Sequence, residues 1–424
     1  MKNLSMGSEI LYILIAVWIA IYLIWERITK NEGKLKIYPL VVIYESSHLK
    51  EMIMKSGVKR RRFWLKMGSL SDRIFPLVMV LGIAYIFANF IAIIKQVLVI
   101  IGGLPVGSEF MVAIPILTIP IGKFLFLLIL SFAPAVLLHE FFHGAVSIAE
   151  DVEVASAGFV FSLAIFGGYV EPKIDEIQGI DESGKKERNS DVSSEVVDSG
   201  GSASEEKQEK VVVSPRKYRH IVAVGIMANI ILAILFFGGF YAMNRLDLCE
   251  EYGLEIVKIV PDSPADKYGL HVSDIIIRIN ETRIKTVDDL RNFMANTKPG
   301  DMIYIVVVRS QEILNITLIL GEKNGRAYIG VELSQYYKSN IGWIPDELMF
   351  DIYFFTYLSF IVEFLIVVLN VLPCFILDGA QWLRVYILER NLKNGKAIYI
   401  LINILVTTLL LLNFMGSLIL DILH

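Results

Sequence analysis

The sequence predicts a polytopic α-helical membrane protein of about six transmembrane helices, with an α+β module inserted outside the cytoplasm. Three observations carry that expectation. Hydrophobic residues make up 55% of the 424 residues and mean hydropathy is +0.58, whereas soluble domains are about 45–50% apolar. Six apolar runs approach the roughly 20 residues that cross a bilayer as helix. Between the fourth and fifth runs the chain reads instead as short strands with one helix.

The first run, within residues 1–25, almost lacks a basic leader and has no A-x-A cleavage site, so it reads as a retained anchor rather than a signal peptide. Residues 26–75 form a loop rich in Lys and Arg, including Lys59, Arg60, Arg61 and Arg62. By the positive-inside rule this loop is cytoplasmic; orientation explains its charge without a nucleic-acid or anionic-lipid patch. Residues 76–101 are the second span. In 111–148 an apolar segment interrupted by Pro115 and Pro120, re-entrant or helical, leads into the third span. Residues 155–172 are apolar and β-prone, a candidate re-entrant hairpin. Residues 174–210 turn to Glu, Ser, Lys, Asp and Gly, the composition of a disordered acidic insertion.

The remaining spans are expected over 218–243, 348–392 and 397–420, with the inserted module over 250–335. Alternation then puts both termini and the module outside the cytoplasm. Arg216, Lys217 and Arg219 fall on the cytoplasmic side, as do Arg384, Arg390, Lys393 and Lys396. These basic loops agree with one topology.

Composition narrows the function. The net charge of −4 is unevenly spread and gives no support for nucleic-acid binding. The two cysteines, Cys249 and Cys374, lie in different regions without a CxxC, so there is neither a disulfide framework nor a thiolate zinc site. The third span ends in His139-Glu140-Phe141-Phe142-His143. On a helix, positions i and i+4 share a face, so both imidazoles reach one Zn²⁺ and Glu140 stands where a general base is needed. Such groups are costly in hydrocarbon unless they are used.

A catalytic zinc usually takes three protein ligands. His48, His220, His271 and His424 do not sit at membrane depth, which leaves the carboxylates Glu363 and Asp378 in or beside the fifth span. Asp378 is the stronger candidate, because Pro373 breaks the helix just before it, and such a break is tolerated only where it lines protein or water. Glu363 reads first as a polar contact between helices rather than as a catalytic group.

The pairing of His139-Glu140-Phe141-Phe142-His143 with Asn370-x-x-Pro373-x-x-x-Leu377-Asp378-Gly379 resembles the site-2 proteases, intramembrane zinc metalloproteases that cut transmembrane segments. Gly167-Gly168-Tyr169-Val170 and Gly225-x-x-x-Asn229 also look like that family, with Ile226 where it often has proline. The resemblance covers about residues 132–392. It implies one Zn²⁺ per chain held by His139, His143 and Asp378, with Glu140 as general base. Asn229 and Asn370 are candidates for oxyanion stabilisation or for tying helices together.

In the module, residues 254–260, 275–279, 302–309 and 313–320 read as strands and 287–295 as a helix. Gly253-Leu254-Glu255-Ile256-Val257, Ser263-Pro264-Ala265, Tyr268-Gly269-Leu270 and Asp274-Ile275-Ile276 are similar to PDZ domains of bacterial-type membrane proteases, with Ser273 where glycine is usual. That resemblance implies capture of a peptide or C-terminus at a Gly253-Leu254 loop, or a cap that screens substrates.

The expected function is intramembrane zinc endoproteolysis of a single-span membrane protein, in a prokaryotic cell membrane, with the active site toward the cytoplasm. A membrane zinc protease of another class would place a glutamate on a later helix and lack the PDZ-like module. An inactive PDZ-bearing scaffold leaves the intramembrane histidines and Glu140 unexplained, and a transporter would call for an inverted repeat, which is not evident.

Overall fold

Five helices among the described residues are long and apolar enough to cross a membrane: Arg61–Val97, Phe126–Ala149, Pro215–Arg245, Asp346–Val371 and Gly395–Leu420. They match the second to last expected spans. The computed structural model describes residue 19 and residues 34–38, 41–101, 123–162, 165–178, 211–374 and 377–423. The first anchor, the Pro115 and Pro120 stretch and the body of the acidic insertion lie outside the described residues.

The basic stretch before the second span is more structured than a loop. It holds strands β1 (Leu35–Tyr38) and β2 (Val41–Glu45) and helix α1 (Ser47–Lys59), capped by the Ser46 side chain. Helix α2 (Arg61–Ile101) then starts inside that stretch and continues through the span. Its buried residues Trp64, Ser71, Phe75, Met79, Ile86 and Ile93 recur at four- and seven-residue spacing, so one continuous stripe runs beneath the basic residues.

Helix α3 (Lys123–Ala149) carries the two histidines and leads into β3 (Val154–Ser162) and β4 (Ile165–Pro172). These strands pair antiparallel over residues 154–172, and β2 adds to β3, giving a four-stranded sheet of order β1-β2-β3-β4. The Lys36–Glu45 ion pair, 2.7 Å, lies on the β1-β2 side. Ile53 of α1 packs with Val154 and Ala157 of β3 and beside Phe141 and Ile148 of α3, clamping sheet to helix. Beyond β4, the short strands β5 (Glu176–Ile177) and β6 (Val212–Val213) pair parallel, bringing together the two ends of the acidic insertion.

Helices α4 (Pro215–Ala223) and α5 (Gly225–Arg245) make one span with a break at Val224. Near the start of α4, Arg219 pairs with Asp72 of α2 at 3.1 Å and with Glu389, while Trp382 Nε1 donates to Asp72 Oδ1 at 2.7 Å. This part-buried ionic knot joins three chain segments.

Residues 236–357 form a second unit. Its six strands are β7 (Cys249–Ile259), β8 (Ile275–Ile279), β9 (Thr282–Arg283), β10 (Met302–Arg309), β11 (Glu312–Ile319) and β14 (Val331–Ser339), the main path running β11-β10-β8-β7-β14. Between β11 and β14 a small hairpin pairs β12 (Gly321–Lys323) with β13 (Arg326–Tyr328). Helices α6 (Pro264–Lys267) and α7 (Val287–Ala295) complete it around Leu254, Ile256, Leu270, Ile276, Ile279, Ile303 and Ile305. Strand β14 was not anticipated and carries the module to Ser339; its Gln, Tyr and Lys residues hide the strand pattern.

The Gly253-Leu254 expectation is corrected here. Both residues lie within β7, with Gly253 opposite Tyr336, and Leu254 opposite Gln335 on one side and Ile276 on the other. Leu254 is fully buried in the core. The dipeptide is therefore strand rather than loop, and Leu254 has strand neighbours on both sides.

Helix α8 (Asp346–Val371) stops before Pro373, and the chain restarts as α9 (Asp378–Glu389), followed by α10 (Gly395–Leu423). The expected break thus separates two helices, with the described residues 372–374 and 377 in neither.

Candidate active site

One helical turn of α3 sets His139 and His143 on a single buried face. Their Nε2 atoms lie 3.0 Å apart. Asp378 Oδ2 stands 3.1 Å from the first and 3.3 Å from the second, reached from α9, 239 residues along the chain from His139. Each Nδ1 has an acceptor behind it: His139 donates to Asn229 Oδ1 at 2.7 Å and His143 to the backbone carbonyl of Ile221 at 2.6 Å. Those acceptors place the ring hydrogens on Nδ1 and leave a lone pair on each Nε2.

Three electron-pair donors thus face one another with no hydrogen between them, an arrangement that repels unless a cation sits among them. Ligands at about 2.0–2.1 Å around a tetrahedral zinc stand roughly 3.3 Å apart, close to the separations observed. The donor set of two nitrogens and one carboxylate oxygen fits Zn²⁺.

Two glycines make the convergence sterically feasible. A β-carbon on Gly225, the first residue of α5, would lie 2.3 Å from His143 Nε2 and 2.6 Å from His139 Nε2. On Gly379 it would meet the carbonyl oxygens of Val371 and Leu372 at 2.2 and 2.4 Å. Only a residue without a side chain lets α9 begin against the end of α8, which brings Asp378 to the histidines.

Glu140 leaves the metal-facing side of α3 and turns toward β4, its Oε2 accepting the Val170 N–H at 3.0 Å. Gly168, two residues back, lies against its side chain, with an added β-carbon 3.3 Å from Glu140 Cγ. The β-strand edge and the candidate base are therefore adjacent.

Asn229 is fully buried and donates its amide hydrogens to Ala135 O at 3.0 Å and Glu363 Oε2 at 2.7 Å. With both hydrogens taken, it stands behind His139 as a partner of the ring and has none left for an oxyanion. Asn370 lies half-buried in the last turn of α8 and makes no hydrogen bond to His139, His143 or Asp378 among the described residues. Glu363 reaches Asn229 and not the Nε2 atoms. Sequence reasoning missed the Ile221 carbonyl, which has no side-chain signal, and the Val170 N–H; the spacing Gly225-x-x-x-Asn229 did hold the signal for Gly225.

The profile of peptidase family M50 matches residues 126–412. A Campylobacter jejuni protein that carries a zinc metalloprotease name is 30% identical over 125 residues, 29% of this chain and 31% of the relative. The serine endoprotease DegS of Haemophilus influenzae is 29% identical over 85 residues, 20% of this chain and 25% of its own. The chain thus spans between a quarter and a third of the length of these relatives. A solved PDZ domain of an SdrC-like protein from Listeria monocytogenes is 24% identical, with a TM-score of 0.18, over 19% of this chain and 87% of that domain. The family profile covers more than half of the sequence and includes His139, Glu140, His143 and Asp378, and the chain belongs to peptidase family M50.

Proposed function

We propose that the protein is an intramembrane zinc metalloendopeptidase that cleaves transmembrane segments of single-span membrane proteins. The observation that carries this reading is the meeting of His139 Nε2, His143 Nε2 and Asp378 Oδ2 within 3.3 Å, with Glu140 beside a strand edge. Zn²⁺ held by these three residues supplies Lewis acidity toward the scissile carbonyl and lowers the pKa of water to about 7. Glu140 takes a proton from the attacking water as its oxygen adds to the carbonyl carbon and the C=O π pair moves to oxygen; the carbonyl then re-forms, the C–N bond breaks, and Glu140 returns the proton to the leaving amine. Asn229 and the Ile221 carbonyl keep both rings in the tautomer this chemistry needs.

A helical substrate hides its amides in i to i−4 bonds and must unwind before it is cut, and its freed groups then need partners. Strand β4 is an edge of its sheet. A substrate strand added along Gly168 and Val170 would run past Glu140, so the strand edge both satisfies the unwound backbone and delivers it. The charged Lys36–Glu45 pair on the far side of the sheet suits an aqueous interface, in keeping with a hairpin that dips inward from the cytoplasmic side.

The bacterial relatives are in keeping with a prokaryotic cell membrane, and the charge pattern favours the PDZ-like module and both termini outside the cytoplasm with the metal site toward it. The module either captures an exposed peptide end or screens out substrates with large ectodomains. The decisive experiment uses purified protein in proteoliposomes with a model transmembrane substrate. Wild type should contain one zinc per chain and cleave; Glu140→Gln should keep the zinc and lose cleavage. Cleavage by Glu140→Gln at the wild-type rate would overturn the assignment.

A further inference from the structure

We propose that Glu363 is a positioning residue of the metal site: acting through Asn229, it fixes the orientation of His139 and so sets how tightly the cation is held. This rests on the reading of His139, His143 and Asp378 as a metal centre. The chain of contacts crosses three helices, from Glu363 Oε2 in α8 to Asn229 Nδ2 in α5 at 2.7 Å, then from Asn229 Oδ1 to His139 Nδ1 in α3 at 2.7 Å.

The argument concerns which way an amide points. The two ends of an asparagine side chain have nearly the same shape, and neighbours decide between them. Here the Glu363 carboxyl and the Ala135 carbonyl both flank one end. Two acceptors demand the NH₂ there, which turns Oδ1 toward His139. An oxygen at that place requires the ring hydrogen on Nδ1 and leaves Nε2 free for a cation. With the amide reversed, its hydrogens would face Nδ1, the ring hydrogen would move to Nε2, and that hydrogen would point between His143 and Asp378 and exclude the ion.

A role as simple helix glue fits the observations less well. Glu363 and Asn229 are both fully buried, and Glu363 Oε1 has no hydrogen-bond partner among the described residues. A half-satisfied carboxyl at membrane depth is a costly way to join two helices. Helix α8 is already tied to α3 by Ser359 Oγ donating to Ser131 Oγ at 2.9 Å, one turn from Glu363 on α8 and from Ala135 on α3.

The test measures Zn²⁺ affinity by chelator competition on the full chain in lipid nanodiscs, with Co²⁺ absorption as a report on ligand geometry. Glu363→Leu should weaken zinc binding about tenfold, the lower range for loss of an outer partner of a ligating histidine, and should alter the Co²⁺ spectrum. Glu363→Gln keeps an oxygen able to accept from Asn229 and should bind nearly as wild type. A pair of changes separates positioning from packing. Asn229→Asp places a carboxylate against Glu363 and should lose affinity; adding Glu363→Gln supplies a donor to that carboxylate and should recover part of it. Wild-type affinity in Glu363→Leu, or a double variant no better than Asn229→Asp alone, overturns the proposal. Should Glu363→Leu fail to fold, the rescue pair decides alone. A wild type that binds no Zn²⁺ in the same assay would overturn the metal reading itself, a result distinct from equal binding by wild type and variant.

Discussion

Gly225 and His143 approach so closely that a single added carbon at position 225 would stand 2.3 Å from the histidine Nε2. The first residue of α5 is thus a wall of the metal site, and the space it leaves is the space a cation needs. Gly225→Ala should therefore cut zinc content severely while leaving the helices inserted. Metal analysis with a protease-protection map of the membrane form checks both halves. Full zinc occupancy in Gly225→Ala would show that the rings can retreat.

Asp378→Asn removes the one negative charge that balances a cation held beside the two imidazole lone pairs. Zinc per chain should fall well below the wild-type value, and cleavage with it. An unchanged metal-to-protein ratio would point to another third ligand.

Val170 donates its N–H outward to Glu140. Proline at 170 deletes that hydrogen, and because this N–H faces Glu140, the ladder to β3 is spared. Turnover should drop about tenfold or more with zinc retained, since general acid–base catalysis contributes roughly 10²–10⁴-fold and depends on placement. The same variant should harm helical substrates more than substrates already unwound by helix-breaking residues. Equal turnover of wild type and Val170→Pro would remove the strand edge from the mechanism.

The β5-β6 pair closes the base of the acidic insertion, with Gln178 N donating to Val213 O at 2.9 Å. Replacing residues 179–210 by about eight Gly and Ser residues, which reach roughly 15 Å, should preserve zinc content and basal cleavage. Loss of either would assign the insertion a part in the site.

In the PDZ-like module, Asp289 accepts the backbone N–H groups of Thr286 and Lys285, which hold its carboxyl below the usual 3.8. A depressed value in the folded state means stability present above the unfolded pKa of about 3.9 and lost as pH falls from there through the folded value. The protection factors of the α7 amides, exchange rates corrected for the intrinsic pH dependence, should fall in that acid window and stay level between pH 6 and 8. Thr286→Ala, which removes the other half of the capping box, should destabilise the module by about 1 kcal/mol. Protection factors independent of pH below 4 would discount the Asp289 contact.

What could be read from the chain was local. Histidines at 139 and 143, the proline break at 373 and five long apolar runs declare themselves within a few residues. The β-sheet did not, because β2 and β3 meet across more than a hundred residues and the apolar stretch 35–45 is broken by Lys36 and Pro39. Gly253-Leu254 looked like a loop because glycine usually marks one, yet in β7 the absence of a side chain admits the Ile276 carbonyl, 2.5 Å from where a β-carbon would stand. Asn229 was visible as a buried polar residue; its direction was not, since that depends on Ala135 and Glu363 arriving from two other helices.

The 239 residues between His139 and Asp378 also have a meaning during biosynthesis. At about 5–20 residues per second, roughly 10 to 50 s pass between synthesis of the histidine pair and synthesis of the aspartate. Throughout that interval the newborn chain holds two-thirds of a metal site beside the insertion machinery and its other clients. The three-residue site thus stays incomplete until Asp378 has been made.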